Sequence, residues 1–511
     1  MKIAILILYF GVLIAIGLYC RKHTTDVNGF VLGGRSVGPW LTAFAYGTSY
    51  FSAVVFVGYA GQFGWKYGIA AAWAGIGNAL IGSLMAWFIL GRRTRIMSQH
   101  LDSATMPQFF GKRFGSDGLK IGSSIIIFIF MIPYTASLYN GLSRLFGMAF
   151  DIDYSVCILL MAILTAIYVI AGGYMATAIN DFIQGMIMLV GISAVVYAVL
   201  ESKGGFMTAL DGLARITDEK VTTTPGIFAS FFGPDPINLL FVVILTSLGT
   251  WGLPQMVQKF YAITNEQAIQ KGTIISTLFA FVVAGGCYFL GGFGRLFSDQ
   301  IDIAANGFDS IIPTMLSGLS AGMIAMIVIL VLSASMSTLS SLVIASSSTL
   351  AIDLIKDNFA PSMSEAKQVF LMRVLIVIFI AISAVLALIQ YKSSVNFIAQ
   401  MMGISWGAMA GAFLAPFMYS LYSKKITTAA CWTSFAFSVV LMIANMLIRP
   451  MFPAIMQSPI NAGAIAMLAG LIIVPIVSAL TAPPDRRLVD EAFKCYEKET
   501  TVPQYVALGK K

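Results

Sequence analysis

Histidine is nearly absent from this sequence: 511 residues hold only His23 and His100, both set among polar or basic neighbours. No histidine falls inside an apolar run, which removes histidine-centred catalysis and metal chemistry from the apolar interior. Cysteine is sparse as well. Cys20, Cys157, Cys287, Cys431 and Cys495 lie far apart and form no CxxC pair, so neither a disulfide framework nor a zinc site is expected. Charge is the most telling shortage, with 11% of residues charged against about 25% in soluble domains. No Asn-x-Ser/Thr acceptor occurs, which favours a bacterial source. An enzyme would need a nucleophile–base set or metal ligands within the apolar segments; none is present, and no catalytic residue is expected.

What fills the chain is apolar: 58% hydrophobic residues and a mean hydropathy of +0.86. No soluble core could hide that much apolar surface, so lipid is the expected solvent. Thirteen apolar segments, roughly 3–19, 40–60, 69–90, 119–149, 154–173, 179–199, 236–258, 273–294, 319–348, 369–390, 396–421, 426–448 and 461–481, are each long enough to cross a bilayer at about 20 residues per crossing. The net charge of +8 suggests nucleic acid only until its distribution is read. With the N-terminus outside, the stretches 20–39, 91–120, 259–272, 353–373, 423–425 and 483–511 fall on one side and hold 22 of the 31 Lys and Arg. The positive-inside rule then predicts N-terminus out and C-terminus in the cytoplasm, in a plasma membrane, the inner one of a bacterium, with no nucleic-acid partner. Lys2 precedes the first span and Arg21-Lys22-His23 follows it, without a small-residue cleavage site, so a retained span is expected rather than a signal peptide. The chain reads as one transmembrane domain over 1–482 and a short tail over 483–511, with Pro483-Pro484 as the helix stop.

Two spans depart from plain lipid-facing helix. The second carries Gly47-Thr48-Ser49-Tyr50-Phe51-Ser52, and the seventh carries Gly249-Thr250-Trp251-Gly252-Leu253-Pro254-Gln255. Glycine and proline weaken or break a helix there, freeing backbone groups that lipid cannot satisfy. Either break alone could be a simple kink. The pair stands five spans apart, the pattern of an inverted-repeat transporter whose site lies at the midplane, with repeats over about 40–199 and 236–421.

The ninth span holds Ser333-Ala334-Ser335-Met336-Ser337-Thr338-Leu339-Ser340-Ser341. Ser337 and Ser341 are four apart and share one helical face. Converging hydroxyl and carbonyl oxygens suit a hard cation; the same small residues would equally let helices pack closely. Asp181, at the start of the sixth span, is the one carboxylate placed within a span. No Arg or Lys in the spans is positioned to pair with it, so a bound cation is the expected partner, with helix capping as the alternative.

The run Val31-Leu32-Gly33-Gly34-Arg35-Ser36-Val37-Gly38-Pro39, the segment from Ala171-Gly172-Gly173 to Gln184, Leu253-Pro254-Gln255 and the Ala334–Ser340 run together resemble the sodium:solute symporter family. Its members include bacterial proline and pantothenate permeases and sialic-acid and sugar symporters. The resemblance runs from about residue 3 to 430. It implies an all-α polytopic fold of about thirteen transmembrane helices, a five-plus-five inverted repeat with two broken helices like the bacterial leucine transporter. It also implies sodium as coupling ion and a small-molecule solute as cargo. By position, it implies a sodium site of the Thr48, Phe51 and Ala334 carbonyls with the Ser337 and Thr338 hydroxyls. The sialic-acid branch implies a second sodium at Asp181, Ser337, Ser340 and Ser341.

The cargo does not transfer. Proline permeases carry an aspartate where Tyr50 stands and aromatics where Thr246 and Thr250 stand; Tyr134 alone keeps their tyrosine. Sugar symporters place a lysine in the eighth span, and 272–286 contains none. The Asn180-Asp181-x-x-Gln184-Gly185 stretch is most like the pantothenate branch but lies near the ion path. The expected solute contacts are Ser52, Thr250, Trp251 and Gln255 with Tyr134. The expectation is a sodium-coupled symporter importing a small polar organic solute, with one or two sodium ions per cycle. The alternatives are proton coupling through Asp181, or a channel. A sensor kinase is not expected, since the tail leaves no room for one.

Overall fold

The computed structural model describes residues 2–21, 25–150, 153–392 and 398–497. His23, Lys22, the start of the eleventh expected span and the tail beyond Glu497 lie outside the described residues. Fifteen helices carry the architecture: α1 (Lys2–Cys20), α2 (Pro39–Tyr50), α3 (54–67), α4 (68–100), α5 (Asp117–Phe150), α6 (Tyr154–Glu201), α7 (Pro236–Gly252), α8 (Pro254–Ala262), α9 (Glu266–Gly291), α10 (Ala321–Ser348), α11 (Glu365–Lys392), α12 (Ile398–Tyr422), α13 (Thr428–Leu447), α14 (Pro459–Leu480) and α15 (Arg486–Phe493).

Among the described residues, nine helical runs are long and apolar enough to cross a membrane, or ten when the bent pair α7–α8 counts as one. Two of the runs are 47 and 48 residues long, about 70 Å of straight helix at 1.5 Å per residue and more than twice a bilayer core. Each is divided by a glycine. Gly68 takes φ 63° between α3 and α4, and Gly173 takes φ 54° within α6. At Gly173 an L side chain would be strained, so this glycine fixes where the helix kinks. The thirteen expected crossings follow if these runs count as two spans each, α2 joins α3, and α1 crosses.

Both expected breaks are present. α2 ends at Tyr50, and Phe51 is extended (φ −84°, ψ 115°) before the chain resumes helix at Val54. α7 and α8 meet at Leu253 with a 47° bend. Leu253 (φ −85°, ψ 123°) precedes Pro254, whose ring disfavours helical geometry in the residue before it. Pro254 then opens α8, where its missing N–H costs nothing. α10 is buried along nearly its whole length and contacts α2, α5, α6 and α11. It is the central helix, which explains its stripe of small residues.

The two ends of the bundle differ. At one, α15 docks on α4 and neighbouring loops: His100 Nε2 pairs with the Glu491 carbonyl at 2.8 Å, and Tyr496 donates to the Arg93 carbonyl at 3.0 Å. Lys424 bridges Asp490 at 2.8 Å. At the other, Arg295 bridges Asp218 at 2.9 Å and donates to the Trp65 carbonyl. That guanidinium holds the Asp218 carboxyl below its usual range.

Candidate cation and solute sites

Where α2 ends, its last carbonyls have no helical partner. The Thr48 carbonyl lies 3.2 Å from Ser337 Oγ and 3.1 Å from Thr338 Oγ1, and the Phe51 carbonyl lies 3.3 Å from Thr338 Oγ1. Both hydroxyls also stand 3.1 Å from the Ala334 carbonyl. Five oxygens from segments nearly 290 residues apart in sequence thus converge, all on buried residues. Each hydroxyl has a single hydrogen but faces several carbonyls, so hydrogen bonding alone leaves the cluster over-supplied with acceptors. Oxygens at right angles around a cation bound at 2.3–2.6 Å stand roughly 3.3–3.7 Å apart. The observed 3.1–3.3 Å is a few tenths short of that, so the cluster could take a hard cation by a small expansion.

One turn further along α10, Ser341 Oγ is 2.9 Å from Ser49 Oγ. Asp181, buried on α6, does have a basic partner, contrary to expectation: Lys259 Nζ stands 3.8 Å from its Oδ2. Lys259 follows the α8 break by five residues and reads in the sequence as a surface charge of the 259–272 stretch. It is instead fully buried, because α8 is covered on every side. Its Nζ also donates to Ser341 Oγ at 3.0 Å and sits 5.0 Å from the centre of the Tyr174 ring. Neither Asp181 oxygen accepts a hydrogen bond from a described residue. Ser340 turns away and donates to the Ser337 carbonyl at 2.9 Å. Nor is Asp181 the one buried carboxylate: Asp353, expected in a polar loop, continues the α10 helix and accepts from Thr105 Oγ1 at 2.7 Å.

The expected solute contacts divide into two groups. Ser52 Oγ, the Tyr134 hydroxyl and both amide atoms of Gln255 are buried without a hydrogen-bond partner among the described residues. Thr250 and Trp251 are already engaged, donating to the Gly82 carbonyl at 3.1 Å and the Ile81 carbonyl at 2.9 Å. Those carbonyls belong to a π-helical stretch of α4, Asn78–Met85, and such widened turns leave backbone acceptors available. Trp406 on α12 was not anticipated. Its Nε1 is buried on the side of the Tyr134 hydroxyl, and its ring lies edge-on to Tyr134 with centroids 6.0 Å apart. A Cβ on Gly249 would come within 3.2 Å of it, so Trp406 reaches the break itself. Its only sequence signal is a lone tryptophan in a glycine-rich span. Towards the Asp218–Arg295 end, a cavity of about 810 Å³ with mixed polar and apolar walls lies against Phe63 and Tyr67 of α3 and Asn238 and Val242 of α7.

Known proteins share this architecture. A Na+-coupled sialic acid symporter, solved in a substrate-bound outward-open state, superposes with a TM-score of 0.73 over 95% of this chain and 99% of its own, at 16% identity. An osmoregulated proline transporter of Bacillus subtilis is 29% identical over 82% of this chain and 83% of its own length. A sodium/proline symporter of Staphylococcus aureus is 28% identical over 82% and 81%. These transporters are not enzymes, and the chain is a multi-pass membrane protein of the same kind. The model of one family matches from residue 30 to residue 436, and by that match the chain belongs to the sodium:solute symporter family.

Proposed function

We propose that the chain imports a small polar organic solute by alternating access, driven by sodium bound among the Thr48, Phe51 and Ala334 carbonyls and the Ser337 and Thr338 hydroxyls. The observation that carries this reading is the meeting of those five oxygens across the first helix break. An ion there ties α2 to α10. Binding would therefore bias how the broken helix sits against its scaffold, which is how a gradient can drive a conformational cycle. The second expected cation position, at Asp181 and Ser341, already has the Lys259 ammonium beside it. The solute would meet Ser52, Tyr134, Gln255 and Trp406, with Thr250 and Trp251 shaping the break behind them. These side chains carry no charge, which fits a neutral or zwitterionic solute whose charged ends face the dipoles of the half-helices. The 810 Å³ cavity is the entry vestibule, opening outward from a bacterial inner membrane, and the repeats 40–199 and 236–421 rock against each other.

Purified protein in liposomes tests this. Solute uptake should require an inward sodium gradient and stop when that gradient is collapsed. Ser337→Ala or Thr338→Ala should move the half-activating sodium concentration up by on the order of tenfold, one lost ligand at about 1–1.5 kcal/mol. Wild-type sodium activation in both variants would remove the site. Uptake driven by a pH gradient alone would shift the coupling to a proton at Asp181, and gradient-independent flux would make the protein a channel.

A further inference from the structure

Resting on the sodium-coupled reading, we propose that the Asp181–Ser341 pocket holds the chain's own Lys259 ammonium in place of a second sodium ion, so that each cycle takes up one. Three features of a cation site converge on this nitrogen: the Asp181 carboxylate at 3.8 Å, the Ser341 oxygen at 3.0 Å and the face of Tyr174 at 5.0 Å. Lys259 and Asp181 are both buried, and a buried charge persists only when matched by another. The pairing supplies that match without a bound ion. A sodium added beside the ammonium would meet a like charge about 4 Å away, a repulsion that weakens binding on the order of a thousandfold at an effective dielectric near 20.

The hydrogen bonds also have a forced direction. Lysine can only donate, so Ser341 accepts from Lys259. Ser49 gives its hydrogen to the Ala45 carbonyl, so the Ser341 hydroxyl gives its own to Ser49. The chain of donors therefore runs from α8, across α10, to α2. It ends beside Thr48, whose carbonyl belongs to the five-oxygen cluster. The ammonium joins the two broken helices at the level of the ion site, a role a freely exchanging second ion would fill only part of the time.

The test is equilibrium binding of radioactive sodium to the purified protein, alongside sodium activation of uptake in liposomes. Wild type should bind one sodium per chain with a Hill coefficient near one. Lys259→Met opens the pocket and should bind two, with the coefficient rising towards two. Adding Asp181→Asn should return both to one, and Lys259→Arg should leave both at one. A wild type that binds two sodium ions overturns the proposal. So does a Lys259→Met protein that melts like wild type and still binds one. Should wild type show no sodium response at all, the symport reading falls, and thermal melting decides the occupancy separately. Lys259→Met/Asp181→Asn should then be more stable than either single variant, and purely additive losses overturn it.

Discussion

Trp406 and Tyr134 each end in a buried polar group with no close hydrogen-bond partner among the described residues beyond their longer approach to each other, and a buried donor without a good acceptor is costly. Five such atoms, on Ser52, Tyr134, Gln255 and Trp406, gather beside the two helix breaks, where an incoming solute could satisfy them. Trp406→Phe keeps an aromatic ring beside Tyr134 and removes the N–H together with part of the indole ring. The half-saturating solute concentration should rise about tenfold, the equivalent of one hydrogen bond at about 1–1.5 kcal/mol. Sodium activation at saturating solute should stay within about twofold, because the indole is no part of the oxygen cluster; uptake kinetics at varied solute and sodium read both numbers. Legibility in the sequence follows the same division. Ser337 and Thr338 can be found because hydroxyls in mid-span are unusual and their spacing puts them on one face. Trp406 cannot, since one aromatic in an apolar span looks like lipid contact. Lys259 is hidden in the sequence for a related reason: five residues past a proline, a lysine looks like an interface charge, and only tertiary packing shows that α8 is submerged in protein.

The helix breaks are held by packing as much as by the residues that make them. Leu253-Pro254 sets the bend, but Gly252 lets the bent segment lie against α12. A Cβ at Gly252 would stand 2.8 Å from the Ala410 Cα and the Leu414 nitrogen, both backbone atoms that cannot move aside singly. Gly252→Ala should therefore push the break off α12, lower stability by about 1–3 kcal/mol as overpacked sites do, and abolish most transport. Gly285→Ala on α9 is the matched control. A Cβ there meets nothing within 4 Å, and a helical glycine replaced by alanine should gain about 0.5–1 kcal/mol. Melting of the detergent-purified variants should move in opposite directions; a fall in both would mean that glycine content, not this contact, sets stability. The breaks themselves were readable from glycine and proline, whereas the π-helical widening of α4 that engages Thr250 and Trp251 was not. Nothing in Asn78-Ala79-Leu80-Ile81-Gly82-Ser83-Leu84-Met85 departs from ordinary apolar helix.

At the scale of the molecule, the basic stretches sort onto one end. Arg93 lies between the rings of Tyr422 and Tyr496, at 4.1 and 4.7 Å, so α4, the end of α12 and the segment after α15 are gathered there. Lys424 and His100 join α15 to the same end. The Asp218–Arg295 bridge and the 810 Å³ cavity lie at the other. This grouping places the basic stretches together but does not say which end is inside; the positive-inside rule predicts that the basic end is cytoplasmic. Labelling with an impermeant thiol reagent decides it. Four of the native cysteines are buried, and only Cys495 is partly exposed, so a Cys495→Ser background is quiet. In that background, Thr224→Cys should react in intact cells, because Thr224 is exposed at the cavity end. Asp117→Cys is exposed at the α15 end and should react only after permeabilisation. The reverse pattern would invert the protein in the membrane. The cavity would then open to the cytoplasm and be an exit rather than an entry, while the inward sodium gradient, which sets the direction of net symport, would still drive uptake.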